Sequence, residues 1–167
     1  MTADDGEDES DASDFTDAPE GEFLGQGIVS ASFAGTAVFL VTTTMATVSD
    51  VTVVRVASVS VDLILFAAGA GVFLWAFVVA VSRSREVEIG IGGLYFLAGA
   101  AAPRTVRRRM MGALALQLIA AIISSSLHPF TNLAFGILVP TYGLGLAGLW
   151  GARHGTFGPR VILDGRR

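Results

Sequence analysis

The stretch SRSREVEIGIGGLYFLAGAAAPRTVRRRM, Ser82 to Met110, divides the chain into two halves, each holding two long apolar runs. Its six arginines, Arg83, Arg85, Arg104, Arg107, Arg108 and Arg109, constrain the fold more than any other feature. A helix of about 20 apolar residues crosses a ~30 Å hydrocarbon core, where a backbone without water must satisfy its own polar groups. Loops rich in arginine stay on the cytoplasmic side. Two runs before an arginine-rich loop and two after it therefore predict an all-α fold, an integral membrane four-helix bundle.

The runs place the spans at 26–48, 61–81, 110–127 and 132–152, within a transmembrane domain of residues 25–155. Pro140 is expected to kink the last span, because its ring displaces the carbonyl one turn back. The β-branched stretch Val51 to Ser60 fits either an extended connection or the first turns of the second helix. Residues 89–103 are apolar, yet as a helix they reach only about 22 Å. Crossing would put Arg104, Arg107, Arg108 and Arg109 opposite Arg83 and Arg85, against the positive-inside bias. The segment is predicted as interfacial or re-entrant, between helices 2 and 3. With that loop inside, ten of 11 arginines are cytoplasmic, only Arg55 lies outside, and both termini of a multi-pass cell-membrane protein are cytoplasmic.

Charge is strongly segregated. Ten of the 15 acidic residues lie in the first 22 positions, and Phe15 is the only large hydrophobe there. Such a segment cannot bury enough apolar surface to offset the entropy of ordering, so residues 1–24 are predicted as a disordered acidic tail. It serves either as an electrostatic arm or as a solvating tail. Residues 156–167 form a short basic tail. A net charge of -4 and a pI near 5.0 argue against nucleic acid as a partner. The absence of cysteine excludes thiolate metal sites and disulfides.

Small residues at four-residue spacing give candidate helix-packing faces: Gly27, Ala31 and Gly35; Ala67 and Gly71; Gly143, Ala147 and Gly151. Gly143 to Gly148 also reads GxGxxG, but it lies inside an apolar run with no strand before it, so packing explains it better than a nucleotide. Asp62 is the one carboxylate within a predicted span, and Gln117 the main polar side chain of the third. Close to a helix start, Asp62 fits an anchoring or capping role; as an intramembrane carboxylate it fits a proton- or cation-linked role. Thr42, Thr43, Thr44, Thr47, Ser58, Ser60, Ser124, Ser125, Ser126, Thr131 and Asn132 gather with it towards the outer side. They either line a hydrated cavity or bond to the carbonyl one turn back on their own helix. The six loop arginines are topology determinants and candidates for contact with anionic lipid headgroups. His128 and His154 fall at opposite faces and cannot share a metal.

Phe96 to Gln117 (FLAGAAAPRTVRRRMMGALALQ) and His128 to Arg160 (HPFTNLAFGILVPTYGLGLAGLWGARHGTFGPR) resemble small four-span membrane proteins of unassigned function from high-GC actinobacteria and halophilic archaea. Arginine as the sole basic residue, with an acidic tail, is similar to that salt-adapted style. The resemblance carries no catalytic or binding residues with it. With no constellation for catalysis and no cofactor implied, the expected function is a non-enzymatic scaffold or accessory subunit. Its expected partners are the bilayer and a membrane protein or further copies of the chain. The alternative is a small transporter or channel acting as a homo-oligomer.

Overall fold

Four helices long and apolar enough to cross a membrane make up the bundle in the computed structural model, which describes residues 25–85, 87–127 and 131–158. In chain order they are α1 (Gln26–Val48), α2 (Thr52–Arg83), a short α3 (Ile91–Phe96), α4 (Arg104–Leu127), a 3₁₀ segment (Asn132–Leu138) and α5 (Pro140–His154). No strand occurs among the described residues. The predicted tail 1–24 and most of 156–167 lie outside them.

Two helices start earlier than hydropathy suggests. α2 begins at Thr52, not Val61, and α4 at Arg104, not Met110. β-Branched residues disfavour a helix only slightly, and arginine is a good helix former, so both stretches extend the helix they precede. Pro103 sets the start of α4, its carbonyl accepting the N–H of Arg107 at 3.0 Å. α2 thus measures about 48 Å, well beyond a ~30 Å core.

The fourth span changes helix type just before Pro140. Its 3₁₀ segment is capped by Val139, whose N–H donates to the Gly136 carbonyl at 3.1 Å, and Pro140 takes the first position of α5, where a missing N–H costs nothing.

α5 is the central helix. Gly143, Gly145, Leu146, Ala147, Gly148, Trp150, Gly151 and Ala152 are all buried, and α2 packs along it more extensively than any other pair of elements. Around it, Leu97, Val106, Met110, Leu146 and Trp150 close the end that carries the arginines, while Phe39, Ala121 and Val139 pack near the opposite end. Ile64, Leu74, Trp75, Phe77, Ile119 and Ile123 are exposed on the outside of α2 and α4. A continuous apolar exterior of this kind suits hydrocarbon, not water.

The 89–103 segment returns to the end it left. The Glu88 N–H donates to the Gly158 carbonyl and the Thr156 N–H to the Ala101 carbonyl, each at 3.1 Å, so residues 155–158 hold both its ends. Leu94, Tyr95 and Leu97 are buried against the bundle. Leu97 takes a left-handed φ of 51°, a costly conformation for leucine, held because its side chain is wholly enclosed.

Candidate functional site

Asp62 lies ten residues into α2, about 15 Å from its start. It therefore cannot cap that helix, and the anchoring role expected from an N-terminal position is corrected by the earlier start at Thr52. The residue is 2% exposed, as is Ser58, one turn away on the same face. Both face the 3₁₀ segment: a Cβ added at Gly136 would meet Asp62 Oδ2 at 3.6 Å and the Phe39 ring at 3.4 Å.

The hydroxyls divide into two groups. Thr36, Thr42, Thr47 and Ser60 each donate to a carbonyl four residues earlier in their own helix. Thr43 on α1, Ser58 on α2, and Ser124 and Ser125 on α4 have no hydrogen-bond partner within the protein, and neither does Asp62 Oδ1. An unsatisfied buried group costs about 1–3 kcal/mol, more when charged. These groups fall in two places: Ser58 and Asp62 on α2, and Thr43 with Ser124 and Ser125 where α1 meets α4. Thr43 and Ser124 also line a groove of about 250 Å³ between α1 and α4, walled by Leu40, Ala120 and Ile123. At the outermost rim Arg55 pairs with Asp50 at 2.8 Å and donates to the Ser49 carbonyl.

An apolar layer of Phe39, Leu65, Ala121 and Val139 separates this level from a second polar centre. There the Gln117 amide, fully buried, donates through Nε2 to Thr36 Oγ1 at 2.6 Å, and the Thr36 hydroxyl in turn donates to the Ser32 carbonyl at 2.7 Å. Gln117 Oε1 has no partner and points at Gly143, where a Cβ would come within 2.7 Å of it. Tyr142 Oη donates to the Ala31 carbonyl at 2.9 Å. Below, the enclosed side chains of Leu97, Met110 and Trp150 close the arginine end. Asp62 and Ser58 thus have the apolar packing of Phe39, Leu65 and Val139 on one side and the α2 start on the other.

The packing residues fall partly where expected. Gly35, Gly143, Ala147 and Gly151 are buried in helix contacts, and Ala31 is half-buried. Gly27 and Gly71 are corrected: a Cβ on either meets no atom within 4 Å, and Ala67 is exposed, so none of the three packs within the chain. The close crossing of α2 on α5 is made instead by Gly69 and Gly145, where a Cβ on Gly145 would lie 2.5 Å from the Gly69 carbonyl oxygen. Gly148 receives the ring of Tyr95, which stacks on Phe73 at 4.3 Å between centroids and donates its hydroxyl to the Phe73 carbonyl.

Among the loop arginines, Arg83 is half-buried and donates to the Ala152 and Gly155 carbonyls. It satisfies the C-terminal end of α5 and clamps α2 to it, so its expected lipid contact is corrected to a helix-end role. Arg107 is half-buried and donates to the Gly99 carbonyl at 3.4 Å, while Arg85, Arg104, Arg108 and Arg109 are exposed. No group of three metal-ligating side chains occurs among the described residues, and His128 lies outside them. His154 stands beside Trp150, with ring centroids 5.6 Å apart.

Comparison with protein-family models, with curated proteins and with solved structures finds no match.

Proposed function

We propose that the protein is a small multi-pass membrane protein that binds a cation at Asp62 from the outer side, in the manner of a cation-linked transporter. The observation that carries this reading is the enclosed carboxylate of Asp62, whose Oδ1 has no partner within the protein, one turn from the unpartnered hydroxyl of Ser58 and facing the 3₁₀ interruption of the fourth span. Irregular backbone at membrane depth belongs where it lines a site, and intramembrane carboxylates mark ion and proton pathways. The donors are all oxygens, which suits a proton or an alkali cation and not a soft metal. Arginine placement supports cytoplasmic termini, with Asp50 and Arg55 outside and the α3 segment at the inner interface. Along α2, Asp62 is about 32 Å from Arg83, which supports a place for it towards the outer side of a ~30 Å core. Cation uptake into proteoliposomes tests the transport step. The wild type is expected to carry flux that Asp62→Asn abolishes; no flux, or flux indifferent to the substitution, refutes it.

A second reading is an accessory subunit. It is favoured by Ala67 and Gly71, one turn apart and both exposed on α2, which offer a close approach to another helix. Cross-linking through a single cysteine at position 67, in a chain otherwise free of cysteine, distinguishes a partner there from lipid.

A further inference from the structure

The arginine end of the bundle carries a crevice between α1 and α4 that the Asp62 reading does not use. Its volume is about 460 Å³. Gln26, Gly27, Ser30 and Phe33 form the α1 wall, and Val106 and Arg109 the α4 wall. Gly27 leaves its part of the wall open: it is exposed, and a Cβ there would meet nothing within 4 Å, so a long side chain at this position would occupy the crevice.

The lining is graded along the membrane normal. Gln26 opens α1, and Phe33 lies seven residues on, about 10 Å deeper. Arg109 is in the second turn of α4, whose N-terminal end contributes a positive dipole, and Arg104 and Arg108 are exposed on the same two turns. The Arg109 cation and the hydrogen-bonding groups of Gln26 and Ser30 near the arginine end, with the Phe33 ring deeper, match the polarity gradient of a phospholipid. A peptide would need partners for its backbone that Phe33 and Val106 do not supply.

We propose that this crevice is a specific site for an anionic phospholipid of the arginine-side leaflet. Arg109 takes the phosphate, the Gln26 amide and Ser30 hydroxyl take ester or glycerol oxygens, and one acyl chain lies over Gly27 against Phe33. The guanidinium suits the phosphate because it offers donors in a fork that matches two oxygens at once.

Native mass spectrometry of the full chain, released from detergent with dioleoyl phosphatidylglycerol or phosphatidylcholine present, tests the site. The wild type should retain one phosphatidylglycerol with at least about a tenfold preference over phosphatidylcholine, a difference of about 1.4 kcal/mol. Gly27→Leu, which fills the crevice, and Arg109→Gln should each reduce retention to the phosphatidylcholine level, whereas Arg108→Gln should not. Melting temperatures of the same samples separate loss of binding from loss of fold. The proposal is overturned by equal retention of the two lipids, by full binding in Gly27→Leu, or by an Arg108→Gln loss matching that of Arg109→Gln. Displacement of the lipid by millimolar inorganic phosphate also overturns it, because it would make the site one for a free anion.

Discussion

Alanine at Gly69 and alanine at Gly71, two residues apart on α2, should change stability in opposite directions. A Cβ on Gly69 would meet the Tyr142 amide nitrogen at 2.5 Å and the Thr141 carbonyl carbon at 2.8 Å, where ordinary contact begins near 3.4 Å. Both obstacles are backbone, which cannot rotate aside, so α2 and α5 must separate by about 1 Å. A gap of that size forfeits a quarter to a half of the dispersion energy of the contacts it opens, and overpacking of this kind costs about 3 kcal/mol at the upper end. Replacing a mid-helix glycine by alanine returns about 1 kcal/mol of propensity, which leaves Gly69→Ala destabilised by about 2 kcal/mol. Gly71→Ala gains the same propensity and meets nothing within 4 Å, so it should be stabilised by up to about 1 kcal/mol. The two variants should then differ by about 3 kcal/mol, more than a hundredfold in the unfolding equilibrium. Reversible unfolding in mixed micelles, followed by the fluorescence of the enclosed Trp150, measures this. Midpoints that shift the same way, or not at all, would refute the assigned phase of α2 against α5.

Thr36→Val removes the acceptor of the Gln117 amide and should cost about 1–3 kcal/mol. Added to Gln117→Leu it should cost much less, and a double-mutant cycle with no coupling energy would sink the pairing. Arg83→Gln should lower stability by about 1.5–3 kcal/mol through loss of charge-assisted bonds to the α5 end, whereas the exposed Arg85→Gln should stay within about 0.5 kcal/mol; equal detergent melts would contradict the clamp. Burial pushes the Tyr95 phenol above its usual range near 10. The folded state therefore holds the proton more tightly than the unfolded chain, so this contribution is complete below about pH 10 and fades as pH rises through the raised value. Alkaline titration of the wild type against Tyr95→Phe should show that extra loss only in the wild type.

Helix number was legible because backbone in lipid has so few options: four runs of apolar residues dictate four helices. The return of residues 89–103 to the end they left was legible from length and arginine placement. Helix ends were not, because β-branched Val51 to Ser60 and the arginines before Met110 carry no periodic signal against extension. The phase of α2 was hidden for a different reason. Residues 67–71 read Ala-Ala-Gly-Ala-Gly, five small side chains in a row, so spacing alone selects Ala67 and Gly71 as readily as Gly69. Only the fit against Tyr142 and Gly145 decides between them. Gln117 stood out as the main polar side chain of the third span, but its partner Thr36 is one of several hydroxyls on α1 that sequence cannot rank. Asp62 was visible at once as the lone carboxylate of a span. Its role turned on the start of α2, and moving that start from 61 to 52 removed the capping explanation.

The central claim is that Asp62 binds a cation, and the most direct measurement is the unfolding midpoint of wild type and Asp62→Asn against sodium, potassium and proton concentration. A ligand held only by the folded state stabilises it by about 2.7 kcal/mol at a hundred times its dissociation constant. The wild type should rise in stability with one of these cations while Asp62→Asn stays flat, whatever its starting stability. Parallel curves for the two proteins would contradict a cation site at Asp62.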